Sequence, residues 1–244
     1  MSFGLSATNN GGSVVISSDY KTLVFSERGT FQITSRFSNG EGSGAATFTK
    51  VVQTQEPPQV FVRFVSGSHT SLSFYTTITG SPGNWTGFKV VSAILTGNQT
   101  QNFSMEYVSC KYSDKKSVDM YGLEIYDYQG NIVYTSSDRV VRYSKFTKNW
   151  TWMRPNYPGV VNVFNSGLVL DADDFVSISS IDRGVSWNMG LVTYAGLRIR
   201  NGGVPVVQIL TNATNPGDNW KPDVATSRFS IPVCKFPIAR YYNT

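Results

Sequence analysis

Histidine, cysteine and charge are all scarce in this chain. Its one histidine, His69, lies in the turn-like string GSHTS with no carboxylate beside it, so a histidine-based acid–base pair is not expected. Two cysteines, Cys110 and Cys234, together with that histidine cannot complete a zinc site within the chain. There is no Gly-x-Ser-x-Gly elbow, no glycine-rich phosphate loop before a helix and no His-Glu-x-x-His string. Together these gaps lead us to expect no enzyme, no cofactor and no metal. Charged residues make up only 15%, below the usual quarter of a globular chain, and the net charge of +5 is too small to demand nucleic acid as a partner. No apolar run approaches the ~18 residues that suggest a membrane span. The start, MSFGLSATNNGG, has neither the basic nor the apolar part of an export signal, so synthesis in a cytoplasm is expected. Without export, the Asn-x-Ser/Thr strings carry no glycosylation meaning.

What is present in quantity is glycine, serine, threonine, asparagine and aromatics, the composition of short strands joined by turns. The stretch YGLEIYDYQGNIVYTSSDRVVRY (121 to 143) has a worn copy at the start of the chain. Setting Gly4 on Gly122, an offset of 118, puts Gly12 on Gly130, Val14 on Ile132, Ser17 on Thr135 and Lys21 on Arg139. Both copies also end alike: FSMEYVSCKY (103 to 112) and FSIPVCKF (229 to 236) share Phe-Ser-apolar and then Cys-Lys-aromatic. A period of this length is that of a small domain, not of a solenoid repeat. The expectation is an all-β chain of two tandem, related antiparallel β-sandwich domains, 1–117 and 118–244, meeting at the polar string KYSDKKSVDM. Cys110 and Cys234 fall at matching places and are expected to be free, buried thiols.

Strands alternate with turns throughout. Leu5 to Thr8 and Ser13 to Ile16 flank Asn-Asn-Gly-Gly, and Leu123 to Tyr126 and Ile132 to Tyr134 flank Asp127-Tyr-Gln-Gly130, which predicts two hairpins. FSNGEGSGA (37 to 45) is expected to be a flexible loop by its glycines. Apolar residues recur at helical spacing nowhere for three turns, so almost no helix is predicted.

The richest candidate surface runs from Arg139 through Arg142, Tyr143, Lys145, Trp150, Trp152 and Arg154 to Tyr157, with Trp220 in a second proline-aromatic segment. Aromatics interleaved with arginine suit either a protein interface or a platform for a sugar ring. A spacing of three alternates faces along a strand, so Arg139, Arg142 and Lys145 are not expected to form one basic strip. Trp85 reads as an anchor tucked over a sandwich end. Asp171, Asp173 and Asp174 could begin a calcium site, but the loop pattern fails at Phe175 and a solvated turn is expected. Pairing this cluster with Glu106 or Glu124 would be needed for glycoside hydrolysis.

The series Tyr121-Gly122-Leu123-Glu-Ile125, Asp127-x-x-Gly130, Ile132 and Asp138-Arg139 resembles the start of small β-rich virion proteins of tailed bacteriophages, associated with the tail tip or tail fibres. The likeness covers about 20 residues of the second copy and, more weakly, Phe3 to Lys21, where Phe3 and Asn-Asn-Gly-Gly depart from it. It implies a structural role in the virion, with other tail proteins and further copies of the chain as partners, and it assigns no catalytic residues. The alternative expectation is a receptor-recognition module binding a host surface glycan through Trp150, Trp152, Tyr157 and Trp220.

Overall fold

The computed structural model describes the chain except residues 1–3, 10–11, 18–19, 36–40, 67–70, 94–100, 118–120, 148, 154–160, 180–184, 189–190, 195, 201–205 and 213–229. All regular structure among the described residues is strand. The first half holds β1 (Gly4–Asn9), β2 (Gly12–Ser17), β3 (Leu23–Ser35), β4 (Glu41–Val52), β5 (Gln59–Ser66), β6 (Ser71–Ser81), β7 (Asn84–Ala93) and β8 (Asn102–Tyr112). The second holds β9 (Glu124–Tyr126), β10 (Ile132–Thr135), β11 (Tyr143–Phe146), β12 (Thr151–Met153), β13 (Val161–Val169) and β14 (Asp174–Ser177). It continues with β15 (Val185–Asn188), β16 (Leu191–Tyr194), β17 (Gly196–Arg200), β18 (Val206–Asn212) and β19 (Pro232–Lys235).

Both expected hairpins are present as separate two-stranded sheets, β1–β2 and β9–β10. The second is closed by Asp127, whose carboxylate accepts the amides of Gln129 and Asn131 at 2.9 and 2.8 Å, and by Gly130 at φ 83°. A side chain other than glycine is strained there.

Thirteen strands form one antiparallel sheet in the order β11-β19-β14-β5-β8-β3-β4-β7-β6-β17-β18-β13-β12. Its two end strands, β11 and β12, are consecutive pieces of chain joined through residues 147–150. The chain therefore brings the two ends of the sheet together as a ring whose seam, between β11 and β12, carries no strand pairing among the described residues, and its two faces become an inside and an outside.

The ring is built twice. Phe25 pairs with Cys110 and Tyr143 with Cys234, each followed by a shift in register before Glu27 and Lys145. Residues 25 and 143, and 27 and 145, are 118 apart, so the offset read from the hairpins also governs the bulges. The order β5-β8-β3-β4-β7-β6 in the first half is repeated as β14-β19-β11, then β12-β13-β18-β17, with β11 and β12 together in the place of β3.

The two halves join edge to edge through equivalent strands. Val62 pairs with Val176 and Phe61 with Ser177, and the Ile178 amide donates to Val60 O at 3.0 Å. Alignment on the two cysteines makes Phe61 and Ser177 equivalent, so a local two-fold axis passes through that pair. Leu72 and Phe74 of β6 pair with Ile199 and Leu197 of β17 at the second junction. The thirteen-stranded sheet takes strands from both sides of the expected boundary at 117/118, so the two stretches do not form separate sheets. The expected pair of separate sandwiches is one shared sheet, because the edge strands of each half find their hydrogen-bond partners in the other.

Two cores follow. The interior one gathers Ile33, Phe48, Phe88, Met105, Trp150 and Phe164, with contributions from both halves. The second, on the other side of β3, β8, β5, β14 and β19, gathers Phe25, Phe61, Cys110, Phe175, Cys234, Phe236 and Tyr241. β5 serves both, with Val60 and Val62 inward and Phe61 outward, which is why it reads as a continuous apolar run. In β3 the register shift after Phe25 moves Phe25 to the second core while Phe31 and Ile33 face the first.

One correction concerns 37 to 45. Residues 41–45 belong to β4, and a Cβ on Gly44 would lie 2.5 Å from Gln32 O and on Gly42 2.8 Å from the Ile33 side chain. These glycines admit close approach of neighbouring strands and do not supply flexibility; residues 37–40 lie outside the described residues.

Candidate functional site

The bulge before Lys145 and the end of β19 determine where the arginine-aromatic stretch goes. Arg139 lies between two rings, 5.4 Å from the Phe25 centroid and 4.2 Å from that of Tyr242, and also donates to Tyr242 O. Arg142 is exposed. Tyr143 and Phe146 are each 44% exposed, their ring centroids 5.3 Å apart. The Tyr143 hydroxyl is pushed up to about 12 by desolvation, with the Cys234 and Cys110 thiols adding to it. Trp150, 4% exposed, is part of the interior core, and Trp152 packs against the same core half-buried. A sugar platform containing Trp150 is therefore excluded by its burial. Arg154, Tyr157 and Trp220 lie outside the described residues, as does His69. Trp85 is an anchor, donating from Nε1 to Thr54 O at 3.0 Å.

Lys145 points away from Arg142 and into the carboxylate cluster. It donates to Asp174 Oδ2 at 2.6 Å and to Asp171 Oδ2 at 3.0 Å, and Lys235 reaches Asp171 at 2.9 Å. Hydrogen bonds from Lys235 and Lys145 hold the Asp171 carboxyl below its ordinary range. The turn expected at 171–174 is present, but Asp174 is buried within it, where its Oδ2 also accepts the Asp171 amide at 2.8 Å. Two ammonium groups serve these carboxylates, so the cluster is an ion-paired brace between β11, β14 and β19.

A second charged line crosses the sheet beneath the C-terminal segment. Glu106 accepts from Arg28 Nε at 2.9 Å and from Arg63 Nε at 2.6 Å, and Arg63 Nη1 continues to Asp173 at 3.1 Å. Both guanidinium carbons lie over the Phe175 ring, at 5.9 and 5.1 Å. Arg28 Nη1 also donates to Phe236 O and Tyr241 O, at 3.2 and 3.0 Å. Asn243 then caps the Arg28 backbone, its Oδ1 accepting from Arg28 N and its Nδ2 donating to Arg28 O, both at 2.8 Å. The side-chain amide thus takes the place of a neighbouring strand where β3 has diverged from β4. In the same gap Glu27 accepts Tyr107 Oη at 2.6 Å and the Thr49 amide at 2.8 Å. The single residues of this network carry no pattern in sequence, since their partners lie far apart along the chain.

The turn of hairpin β9–β10 is legible in the sequence, but the aromatics exposed on and beside it are not. Tyr121 is 88% and Tyr128 92% exposed, with Leu123 and Tyr126 also exposed. Its base is held firmly: Thr22 N donates to Val133 O at 3.1 Å, and Asp138 Oδ2 accepts Ser113 Oγ at 2.6 Å and the Thr135 amide at 2.9 Å. Asp138, matched imperfectly by Asp19 in sequence, is thus a structural cap.

Cys110 and Cys234 are free and fully buried in the second core. Desolvation raises both thiols, Cys234 to about 12. Neither is expected to react with a polar thiol reagent in the folded protein, whereas both react after denaturation. Prompt labelling of either under native conditions would contradict the packing of this core. No known family, curated protein or solved structure matches this chain.

Proposed function

We propose that the chain is a structural component of a tailed-bacteriophage virion, at the tail tip or where fibres attach, acting through protein–protein assembly. The observation that carries this reading is the display of exposed aromatics on braced strands. Tyr126 and Tyr128 stand on a hairpin fixed at its base, Tyr121 lies just ahead of it, and Tyr143 and Phe146 lie on an end strand. Large, stiff aromatic rings give contact area at low entropic cost, which favours them at interfaces. The resemblance of residues 121 to 139 to tail proteins supplies the setting. Mass spectrometry and antibody labelling of gradient-purified particles from a culture producing the chain from its native genome tests the proposal. The chain should be found in stoichiometric amount on the tail, and its absence from washed particles would overturn the assignment.

The second reading, a glycan-binding module of the same tail, draws support from the hairpin and not from the tryptophans. Tyr126 borders, and Tyr128 lies within, a turn rich in amide and carboxylate groups, Asp127, Gln129 and Asn131. Stacking and hydrogen bonding side by side suit a sugar. Saturable binding of host surface polysaccharide, abolished by Tyr128→Ala with the fold intact, would favour this reading over pure assembly.

A further inference from the structure

The two halves of the ring treat one pair of equivalent positions differently. Arg28 of β3 and Phe146 of β11 are 118 apart and follow the equivalent bulges. At Arg28 the backbone N–H and C=O that face away from β8 are taken by the Asn243 side chain. At Phe146 the geometry is the same, but no described side chain caps it. Thr147 N donates to Ile231 O at 3.2 Å, so by strand alternation the N–H and C=O of Phe146 point away from β19. Phe146 and Pro232 thus form a non-hydrogen-bonded pair. Among the described residues nothing bonds these outward groups. Arg28, whose guanidinium holds the C-terminal segment, is replaced there by a half-exposed ring packed at a tilt against Tyr143.

We infer that the outer edge of β11, at Tyr143 to Phe146, is a docking edge for the same edge of a second copy of this chain. The occupant follows from how the chain joins its own halves. It pairs the equivalent strands β5 and β14 antiparallel about a local two-fold axis, with β6 and β17 as a further such junction. β11 is an end of the sheet, and an antiparallel pairing of two β11 edges repeats that mode between molecules. Such a pairing satisfies the outward backbone groups of Phe146 and lays the Tyr143–Phe146 pair of one copy against that of the other. A four-residue edge is short, so the contact is weak in isolation and strengthens where a scaffold holds copies close.

This inference rests on the assembly reading, and its test is separate from particle analysis. Sedimentation equilibrium of the full chain, over a concentration range up to its solubility limit, reads the association directly. Wild-type protein should form dimers as concentration rises. Phe146→Pro removes one outward donor and the ring while leaving the bonds to β19, and should weaken association about tenfold or more. Phe146→Lys, an edge-guarding charge that keeps the backbone donor, should do likewise and serves if the proline variant fails to melt cooperatively. A wild type that stays monomeric throughout, or folded variants that associate as well as wild type, would overturn the β11 contact. Neither result would remove the chain from the virion, which the particle experiment decides independently.

Discussion

Residues 121–244 expressed alone are expected to give no cooperative thermal transition, whereas the full chain melts as one unit. The fragment retains β14 and β17 but loses β5 and β6, the strands that pair with them. The interior core would lose Ile33, Phe48, Phe88 and Met105, leaving Phe164, Val176 and Leu197 exposed. Truncating a single buried aromatic costs about 3–5 kcal/mol, and domains are stable by only about 5–15 kcal/mol, so losing half of a shared core exceeds the whole stability. Mixing the fragment with residues 1–120 should restore β-type circular dichroism and a single melt, since the junctions are self-complementary edges. Independent cooperative melting of residues 121–244 would show that the second copy is a domain in its own right and that the shared ring is not required.

Glu106→Ala should be the most damaging single change away from the cores, by about 3–5 kcal/mol, the cost of breaking a buried ion pair from one side. Its side chain is only 12% exposed and the guanidiniums of Arg28 and Arg63 are bonded to it from either side. Removing the carboxylate leaves two cations over the Phe175 ring with no anion between them, and releases the Arg28 grip on Phe236 and Tyr241. For a chain of this length the melting temperature should fall by roughly 6–20 °C. Glu106→Gln, which keeps acceptor and shape, should lose less. A loss under about 1 kcal/mol, typical of a solvent-exposed pair, would mean that water screens this network and that it does not hold the C-terminal segment.

Much of the local architecture was legible in residues alone, because its causes are local. Asp127 and Gly130 specify a turn wherever they stand between two apolar runs, and period-two alternation marks a half-buried strand without reference to its partner. The offset of 118 that sets Gly4 on Gly122 in the sequence also separates the bulges at Phe25 and Tyr143. Burial of Cys110 and Cys234 followed from their matched places in apolar strands. The candidate site was legible only in part. Tyr143 and Arg142 are at the surface whereas Trp150 is in the core, because an aromatic ring reads the same in sequence whether it faces solvent or neighbours.

The amino-acid sequence by itself determined that this is an all-β chain, with a hairpin closed by Asp127 and Gly130 and with two buried thiols. Only the tertiary structure decided that the two halves share one ring, with β5 on β14 and β6 on β17. It also decided that Glu106 lies between Arg28 and Arg63, and that the β3 edge at Arg28 is capped by Asn243 while, among the described residues, its counterpart at Phe146 has no such cap. The physical reason is the range over which each is set. Turns and alternation depend on neighbours a few residues apart, whereas a strand's backbone bonds accept any partner of suitable register. Which partner it takes depends on how the whole apolar surface can be buried at once.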